Sequence, residues 1–254
     1  MSILDQHPLA GRLWEWYRDI LDFFFPPQCV SCHERLLEGD EYFCSGCHGA
    51  FEPVPLPHCP LCGAPTGNKV LMKNRCPACP EGEVFYTRAR APLLYQGPVV
   101  DGIVALKFHR RLELTELFAR VLLYYLKRDQ ADLSFDGIVP VPLHYRRFHQ
   151  RGYNQSEEIG RVLSRHLGIT LWAEVLRRTR YTRPQTRLAH RERRGNVQDA
   201  FEVVYAEPVR DRRVLLLDDV YTTGSTMNAC ARVLKEAGAR EVTALTVCRA
   251  IGSD

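Results

Sequence analysis

Eight of the chain's ten cysteines fall into four C-x-x-C pairs between residues 29 and 79. Nothing else limits so sharply how this stretch can fold. Residues 26–82 are rich in Pro and Gly and show little apolar periodicity, so they hold too few apolar side chains for a core of their own. Such a stretch must fold around cross-links or metal. The pairs are Cys29/Cys32, Cys44/Cys47, Cys59/Cys62 and Cys76/Cys79. Four thiolates satisfy a tetrahedral zinc ion, so eight suit two ions. Sequential pairing puts Cys29, Cys32, Cys44 and Cys47 on one ion and Cys59, Cys62, Cys76 and Cys79 on the other. The gaps of 11 and 13 residues inside these sets are shorter than the roughly 15–20 of the common zinc pattern. An interleaved pairing therefore stays open. His33, His48 and His58 stand beside the cysteines, but the cysteine count is already complete. Four cysteines leave no open coordination position, which makes the expected zinc structural. Redox C-x-x-C motifs do not explain four copies in succession. Cys230 and Cys248 stand apart and read as small buried side chains.

The chain has 254 residues, 45% of them apolar, enough to bury a sizeable core beside the cysteine segment. A net charge of +4 does not by itself argue for nucleic acid. No apolar run approaches the roughly 20 residues that span a bilayer. Asp5, Glu15, Asp19 and Asp22 interrupt the N-terminal apolar residues, which does not fit a secretory signal. The expectation is a cytoplasmic protein with reduced thiols, in which cysteine pairs mean metal.

Three zones follow. Residues 1–25 carry Leu9, Leu13, Trp14, Trp16, Tyr17, Ile20, Leu21 and Phe24 at helical spacing, and Pro26 and Pro27 end the pattern. We read this as an amphipathic segment docked on the protein's own body; its acidic residues argue against an anionic membrane surface. Residues 26–82 form the expected double zinc ribbon, and residues 83–254 the main domain. There the patterns predict a strand over 89–95, helices over 100–107 and 113–128, and a strand over 137–141. A helix over 155–167, a strand over 213–218, a helix over 225–237 and a strand over 241–248 follow. Ile138–Val141 and Val214–Leu217 are apolar on both faces. That is the mark of a buried parallel sheet flanked by helices, hence an α/β fold.

The run Val214–Leu217 leads into Asp218 and Asp219, which places two carboxylates at the carboxyl end of a strand, where open α/β sheets bind ligands. Tyr221, Thr222, Thr223, Gly224, Ser225 and Thr226 follow and enter a helix. Backbone N–H groups, hydroxyls and a glycine at a helix start suit a phosphate. Adjacent carboxylates suit a vicinal diol or a hydrated Mg²⁺. One helix cap would explain a single polar residue here, not a whole run of them. The stretch closely resembles the binding motif of type I phosphoribosyltransferases, which bind 5-phosphoribosyl-1-pyrophosphate (PRPP). The resemblance implies that Asp218 and Asp219 meet the ribose hydroxyls and that the loop 221–226 holds the 5′-phosphate.

Upstream, a strand ending in Pro140-Val141-Pro142 runs into His144-Tyr145-Arg146-Arg147-Phe148-His149-Gln150-Arg151-Gly152-Tyr153-Asn154-Gln155. This lies where the phosphoribosyltransferases carry a pyrophosphate loop. Arg146, Arg151, Asn154 and Gln155 are the candidates for the leaving pyrophosphate. Residues 177–196 hold eight arginines among Thr, Gln and Asn, at the position of the family's mobile loop. Gln185, Thr186 and Arg193 are its candidates, and a plain basic surface loop accounts for part of the rest. Lys107, at the end of a helix, suits an anion or the helix's own carbonyls equally.

Taken together, the four C-x-x-C pairs, Leu106-Lys107-Phe108, Val139-Pro140-Val141-Pro142, Arg151-Gly152-Tyr153-Asn154-Gln155, Gln185-Thr186 with Arg193 and Asn196, and the Asp218-Asp219 loop resemble the ComF/GntX family. The resemblance covers about residues 26–250. It implies a double zinc ribbon joined to a phosphoribosyltransferase-like domain, PRPP binding with Mg²⁺, and a link to competence, DNA uptake or use of external DNA. Two expectations follow. One is an enzyme that displaces pyrophosphate from PRPP. The other is a sensor without turnover that binds PRPP or nucleotide and contacts single-stranded DNA or a translocation partner, with Tyr145, Phe148, Tyr153 and Tyr181 lying among arginines.

Overall fold

The computed structural model describes residues 16, 24, 26–67, 71–128, 134–179 and 200–251. Of the N-terminal segment 1–25, Trp16 and Phe24 are helical and exposed; the rest of that expectation lies outside the described residues. Two compact units divide between Phe51 and Glu52. The second half of the expected ribbon, residues 52–82, thus sits in the unit that carries the sheet.

The smaller unit holds a cysteine knuckle and the short helix α1 (Ser45–Gly49). Cys29 N–H donates to the Glu34 carbonyl at 2.8 Å, closing the tight turn that C-x-x-C needs. Cys44 caps α1, with its sulfur accepting from Cys47 N–H. Phe43 is buried and meets Phe51 edge-on at 5.0 Å.

The larger unit is built on strands β1 (Arg88–Arg90), β2 (Leu93–Leu94), β3 (Gly137–Pro140), β4 (Thr170–Leu171), β7 (Arg213–Tyr221) and β8 (Glu241–Arg249). They form one all-parallel sheet in the order β1-β8-β7-β3-β4, with β2 continuing along β8 beyond β1. The break between β1 and β2 falls at Pro92, which brings no N–H to a ladder. A small antiparallel pair, β5 (Leu176–Arg178) and β6 (Phe201–Val203), stands apart. Helices α2 (Pro98–Phe108), α3 (Leu114–Arg128), α4 (Tyr145–Arg151), α5 (Gln155–Leu167) and α6 (Ser225–Glu236) complete the unit.

Period-two alternation along the strands divides the core. Val139, Val214, Leu216, Val242 and Ala244 share one buried cluster with Met227, Cys230, Ala231 and Leu234 of α6. On α5, a Cβ at Gly160 would lie 2.9 Å from Leu171 Cδ1 and 3.4 Å from Leu217 Cδ2. Only a residue without a side chain lets that helix lie so close to the sheet.

The topology fixes where a ligand can enter. From β3 the chain crosses to β4 on one side, and β7 then lies on the other side of β3. The reversal opens a crevice at the carboxyl ends of β3 and β7.

Candidate active site

The acidic pair lies inside β7, not at its end. Our reading closes that strand at Asp218, yet it runs to Tyr221, still paired with β8 at Val220 and Tyr221. What ends early is the other flank, where pairing with β3 stops at Pro140 opposite Leu217. The last ladder bond is Val141 N–H to the Leu217 carbonyl, at 2.8 Å. A parallel ladder would continue with Asp219 N–H donating to the Val141 carbonyl. Both groups are diverted. Asn154 Nδ2 takes the Val141 carbonyl at 3.0 Å, and Asp219 N–H turns to Asp218 Oδ1 at 2.9 Å. The two strands therefore part at the acidic pair.

Asp219 is 4% exposed and fully engaged. Lys107 Nζ donates to its Oδ1 at 2.7 Å, and Gln155 Nε2 donates to its Oδ2. Burial alone would lower the Lys107 ammonium; Asp219 beside it more than reverses that and raises it. At the end of α2, Lys107 thus holds an anion of the protein's own, the Asp219 carboxylate.

Asp218 is half-buried. Its Oδ1 accepts from Ser156 Oγ at 2.9 Å as well as from Asp219 N–H. Its Oδ2 has no hydrogen bond among the described residues. Burial, reinforced by the negative charge of Asp219, pushes the Asp218 carboxyl up to about 7.

The hydroxyl loop lies one step further. Gly224 takes φ +76°, and a Cβ there would fall 2.1 Å from Tyr221 Oη. The position is closed to any other residue on both counts. Thr223 Oγ1 and Ser225 Oγ are 2.9 Å apart at the start of α6; the N-cap residue is Gly224, which has no side chain to offer, and Ser225 N–H makes a long 3.4 Å bond to Thr223 Oγ1. Its first-turn N–H groups and the positive end of its dipole therefore face the loop. Thr222 is exposed, and Thr226 is half-buried. Tyr221 is buried behind the loop, its hydroxyl 2.8 Å from that of Tyr86. It backs the loop rather than lining it.

The upstream candidates split. Gln155 reaches Asp219, and Arg151 donates to Gln155 Oε1 while its guanidinium lies 5.2 Å from the Phe108 ring centre. Burial lowers Arg151, and the nearby Asp219 charge partly offsets this. Asn154 spends its side chain on backbone, capping α5 at Ser156 N–H and holding Val141. Arg146 is exposed and donates to its neighbour Tyr145. All of these except Asn154 and Gln155 lie on α4, which the sequence reading treats as a loop. His144 caps α4 through its side chain, and Gly152 in the left-handed region ends it. Gln185, Thr186 and Arg193 lie outside the described residues.

Ser156 is the site residue that sequence reasoning passed over. Its only signal is its place directly after Asn154-Gln155. Arg178 on β5 places its guanidinium 5.2 Å from the Phe201 ring centre; burial lowers it, Arg147 adds to that, and Asp218 acts in the opposite sense.

The cysteines form two tetrads in sequential order, Cys29/Cys32/Cys44/Cys47 and Cys59/Cys62/Cys76/Cys79, with the sulfurs of each within 4.8 Å of one another. Interleaving is thereby excluded. Sulfurs at about 2.3 Å from a tetrahedral zinc stand about 3.8 Å apart. Cys32–Cys44 is 3.6 Å, Cys59–Cys79 3.6 Å, Cys62–Cys76 3.5 Å and Cys76–Cys79 3.9 Å. These spacings and the all-thiol donor set fit two structural zinc ions and are far too long for disulfides. Burial would raise Cys59, but backbone N–H groups of Cys62, Leu61 and Cys76 hold it down at about 7. Cys29 is held at about 6 by the same opposition. No helix among the described residues is long and apolar enough to cross a membrane.

Comparison with known proteins follows the same lines. The family described as "Double zinc ribbon domain" matches residues 20–80, and that described as "Phosphoribosyl transferase domain" matches residues 155–253. The chain is 34% identical to DNA utilization protein YhgH of Escherichia coli strain K12 over 229 residues, covering 89% of this chain and 98% of that protein. It is 31% identical to Competence protein F of Haemophilus influenzae over 233 residues, 89% of this chain and 99% of the relative. Among solved structures it is similar to the glutamine PRPP amidotransferase from B. subtilis, at 22% identity and a TM-score of 0.34. That match covers 53% of this chain and only a quarter, 25%, of the amidotransferase.

Proposed function

We propose a function from one premise: the chain belongs to the ComF family of competence and DNA-utilization proteins. Its parallel-sheet domain is phosphoribosyltransferase-like, and we infer that the crevice between β3 and β7 binds PRPP. The observation that carries this is the pairing of an open carboxylate oxygen on Asp218 with a hydroxyl-lined helix start, its N-cap a glycine, a few residues further on. A ribose diol and a 5′-phosphate are spaced to meet both at once.

In this reading Asp218 Oδ2 accepts a ribose hydroxyl. Asp219, neutralised by Lys107 and fixed by Gln155, sets the orientation of the pair and adds little net charge. Thr222, Thr223, Ser225 and Thr226, with the N–H groups of α6, receive the 5′-phosphate. Arg151, leaning on Gln155, and Arg178, near Asp218, stand where cations would meet the pyrophosphate. Hard carboxylate oxygen fits a hydrated Mg²⁺, which would arrive with PRPP, held through Asp218; Asp219 is already taken. Mg²⁺ supplies charge neutralisation on the pyrophosphate. As turnover proceeds, the C1′–oxygen bond breaks and its electron pair leaves with pyrophosphate. C1′ gains positive character, and the lone pair of an acceptor nucleophile closes the new bond. The protein's part is positioning and electrostatics.

One observation favours a second reading, a binding module without turnover. Phe108, Tyr145 and Phe148 are exposed beside Arg146, Arg147 and Arg151. Aromatic faces among arginines suit the stacked bases of single-stranded DNA. In either reading, cysteines grouped for metal rather than for disulfides suit a cytoplasmic setting.

Calorimetry with PRPP and Mg²⁺ tests the proposal on wild type and on the Asp218→Asn/Asp219→Asn variant. Binding that the double substitution abolishes supports it; wild type that shows no heat of binding at any temperature tried refutes it. Pyrophosphate release across a panel of acceptors then separates enzyme from binder. Salt-dependent DNA binding that survives the double substitution, with no release, selects the binder.

A further inference from the structure

The second cysteine tetrad is built into the sheet-bearing unit, and its surroundings lead straight to the hydroxyl loop. Cys59, Cys62 and Cys76 belong to the same buried cluster as Tyr86, Tyr221 and Met227. The Cys59–Cys62 knuckle lies directly on β1, where Ala89 N–H donates to the Leu61 carbonyl at 2.7 Å.

Arg249 ends β8 and is 3% exposed. It has no carboxylate partner among the described residues, and its buried Nε makes no hydrogen bond. Its NH1 donates to the Cys62 carbonyl at 2.5 Å, and its guanidinium lies 4.9 Å from the centre of the Tyr221 ring. A buried lone cation is costly unless something answers its charge. Four thiolates on one divalent zinc carry a net charge of about −2, which does so.

From Tyr221 the contacts continue into the loop. Gly224 lies against the Tyr221 hydroxyl, and its Cβ position is 3.0 Å from Pro80 Cγ, the residue after Cys79. One turn into α6, Asn228 Oδ1 accepts from Phe85 N–H and Nδ2 donates to the Glu83 carbonyl, both at 2.8 Å. The ribbon's exit is thus clamped to the helix that the loop begins.

We propose that the second tetrad positions the hydroxyl loop 222–226. Zinc on Cys59, Cys62, Cys76 and Cys79 holds the Arg249–Tyr221–Tyr86 stack, and that stack holds Gly224 and the start of α6. Zinc occupancy there and anion binding at the loop are therefore linked, and each tightens the other by the same factor. The first tetrad belongs to the other compact unit and contributes no residue to this stack. The inference goes beyond the PRPP reading, because it concerns the order of the loop whatever anion the loop takes.

Amide hydrogen exchange on the full chain tests it without a ligand. In Cys76→Ser, the amides of 222–226 should exchange about tenfold faster, the worth of roughly one lost hydrogen bond, while the amides of β7 and β8 stay protected. Cys44→Ser should leave 222–226 unchanged. Tyr86→Phe, which removes one hydroxyl and keeps every thiol, should speed both loop exchange and zinc loss from the second tetrad to a competing chelator. Equal loop exchange in wild type, Cys76→Ser and Cys44→Ser overturns the proposal. Should Cys76→Ser not fold, an unaltered loop and unaltered zinc loss in Tyr86→Phe overturn it. Failure of PRPP to bind wild type would defeat the proposed function and leave these exchange results standing.

Discussion

Replacing Asp218 by Asn separates the cost of the acidic pair from its use. The wild-type carboxyl is pushed up from 3.8 to about 7, burial acting first and the Asp219 charge second. Each unit of such a shift is worth about 1.4 kcal/mol between the two protonation states, so ionised Asp218 costs the fold up to about 4 kcal/mol. Asn keeps the acceptor that Ser156 and Asp219 N–H use, but brings an amide that needs a partner. About half of the cost, roughly 2 kcal/mol, should be recovered. The sign follows from the direction of the shift. Below about pH 4 both folded and unfolded wild type hold the proton, and the variant gains nothing. From pH 4 to about 7 the unfolded chain releases its proton first, so wild type loses stability relative to the variant. Above about 7 the gap is constant. Thermal unfolding at pH 4 and pH 8 reads this out: Asp218→Asn should melt about 4–8 °C higher than wild type at pH 8 and about as far below it at pH 4, where only the cost of the amide remains. The same variant should lose PRPP binding. A gap that is flat with pH, or a variant less stable at pH 8, refutes the reasoning.

Three further outcomes are expected. Lys107→Met leaves Asp219 buried without its cation and should cost about 3–5 kcal/mol in denaturant unfolding, most of it restored by adding Asp219→Asn; a loss under 1 kcal/mol would show that the pair contributes little. Gly224→Ala forces a Cβ into the Tyr221 hydroxyl at positive φ, so calorimetry should find phosphate-bearing ligands bound at least about tenfold more weakly; unchanged affinity would mean that the loop takes no part in binding. A chromogenic chelator should strip zinc in two phases, because Cys32 is exposed and Cys44 and Cys47 are partly so, while Cys59, Cys62 and Cys76 are buried; a single phase would contradict the difference between the tetrads.

Much of the frame is legible because its signals are local. The helix 155–167 has a capping Asn, an amphipathic stripe and a closing glycine, all within one segment. The strands Ile138–Val141 and Val214–Leu217 announce burial on both faces through composition alone. Helix α4 escapes because Tyr145–Arg151 is short, basic and without apolar period; its cap is a histidine, an unusual choice. Strands β4, β5 and β6 are two or three residues long, below what periodicity detects. The site follows the same division. The acidic pair and the hydroxyl loop stand together in sequence. The partner of Asp219, Lys107, is 112 residues away, and Arg249 meets Cys62 across 187. Nothing local encodes such meetings; the sheet order produces them. The point where β7 parts from β3 is hidden for a related reason, since it depends on what Asn154 does to the Val141 carbonyl.

That diversion has a further consequence. The mouth between β3 and β7 is held apart by one amide and one carboxylate that intercept two backbone groups, and both interceptors sit on elements the fold needs anyway. Chain emerging at 143–150 can then be lengthened, shortened or re-lettered without unzipping a single interior rung. A lineage built on this frame can change what it grips while leaving the frame itself alone.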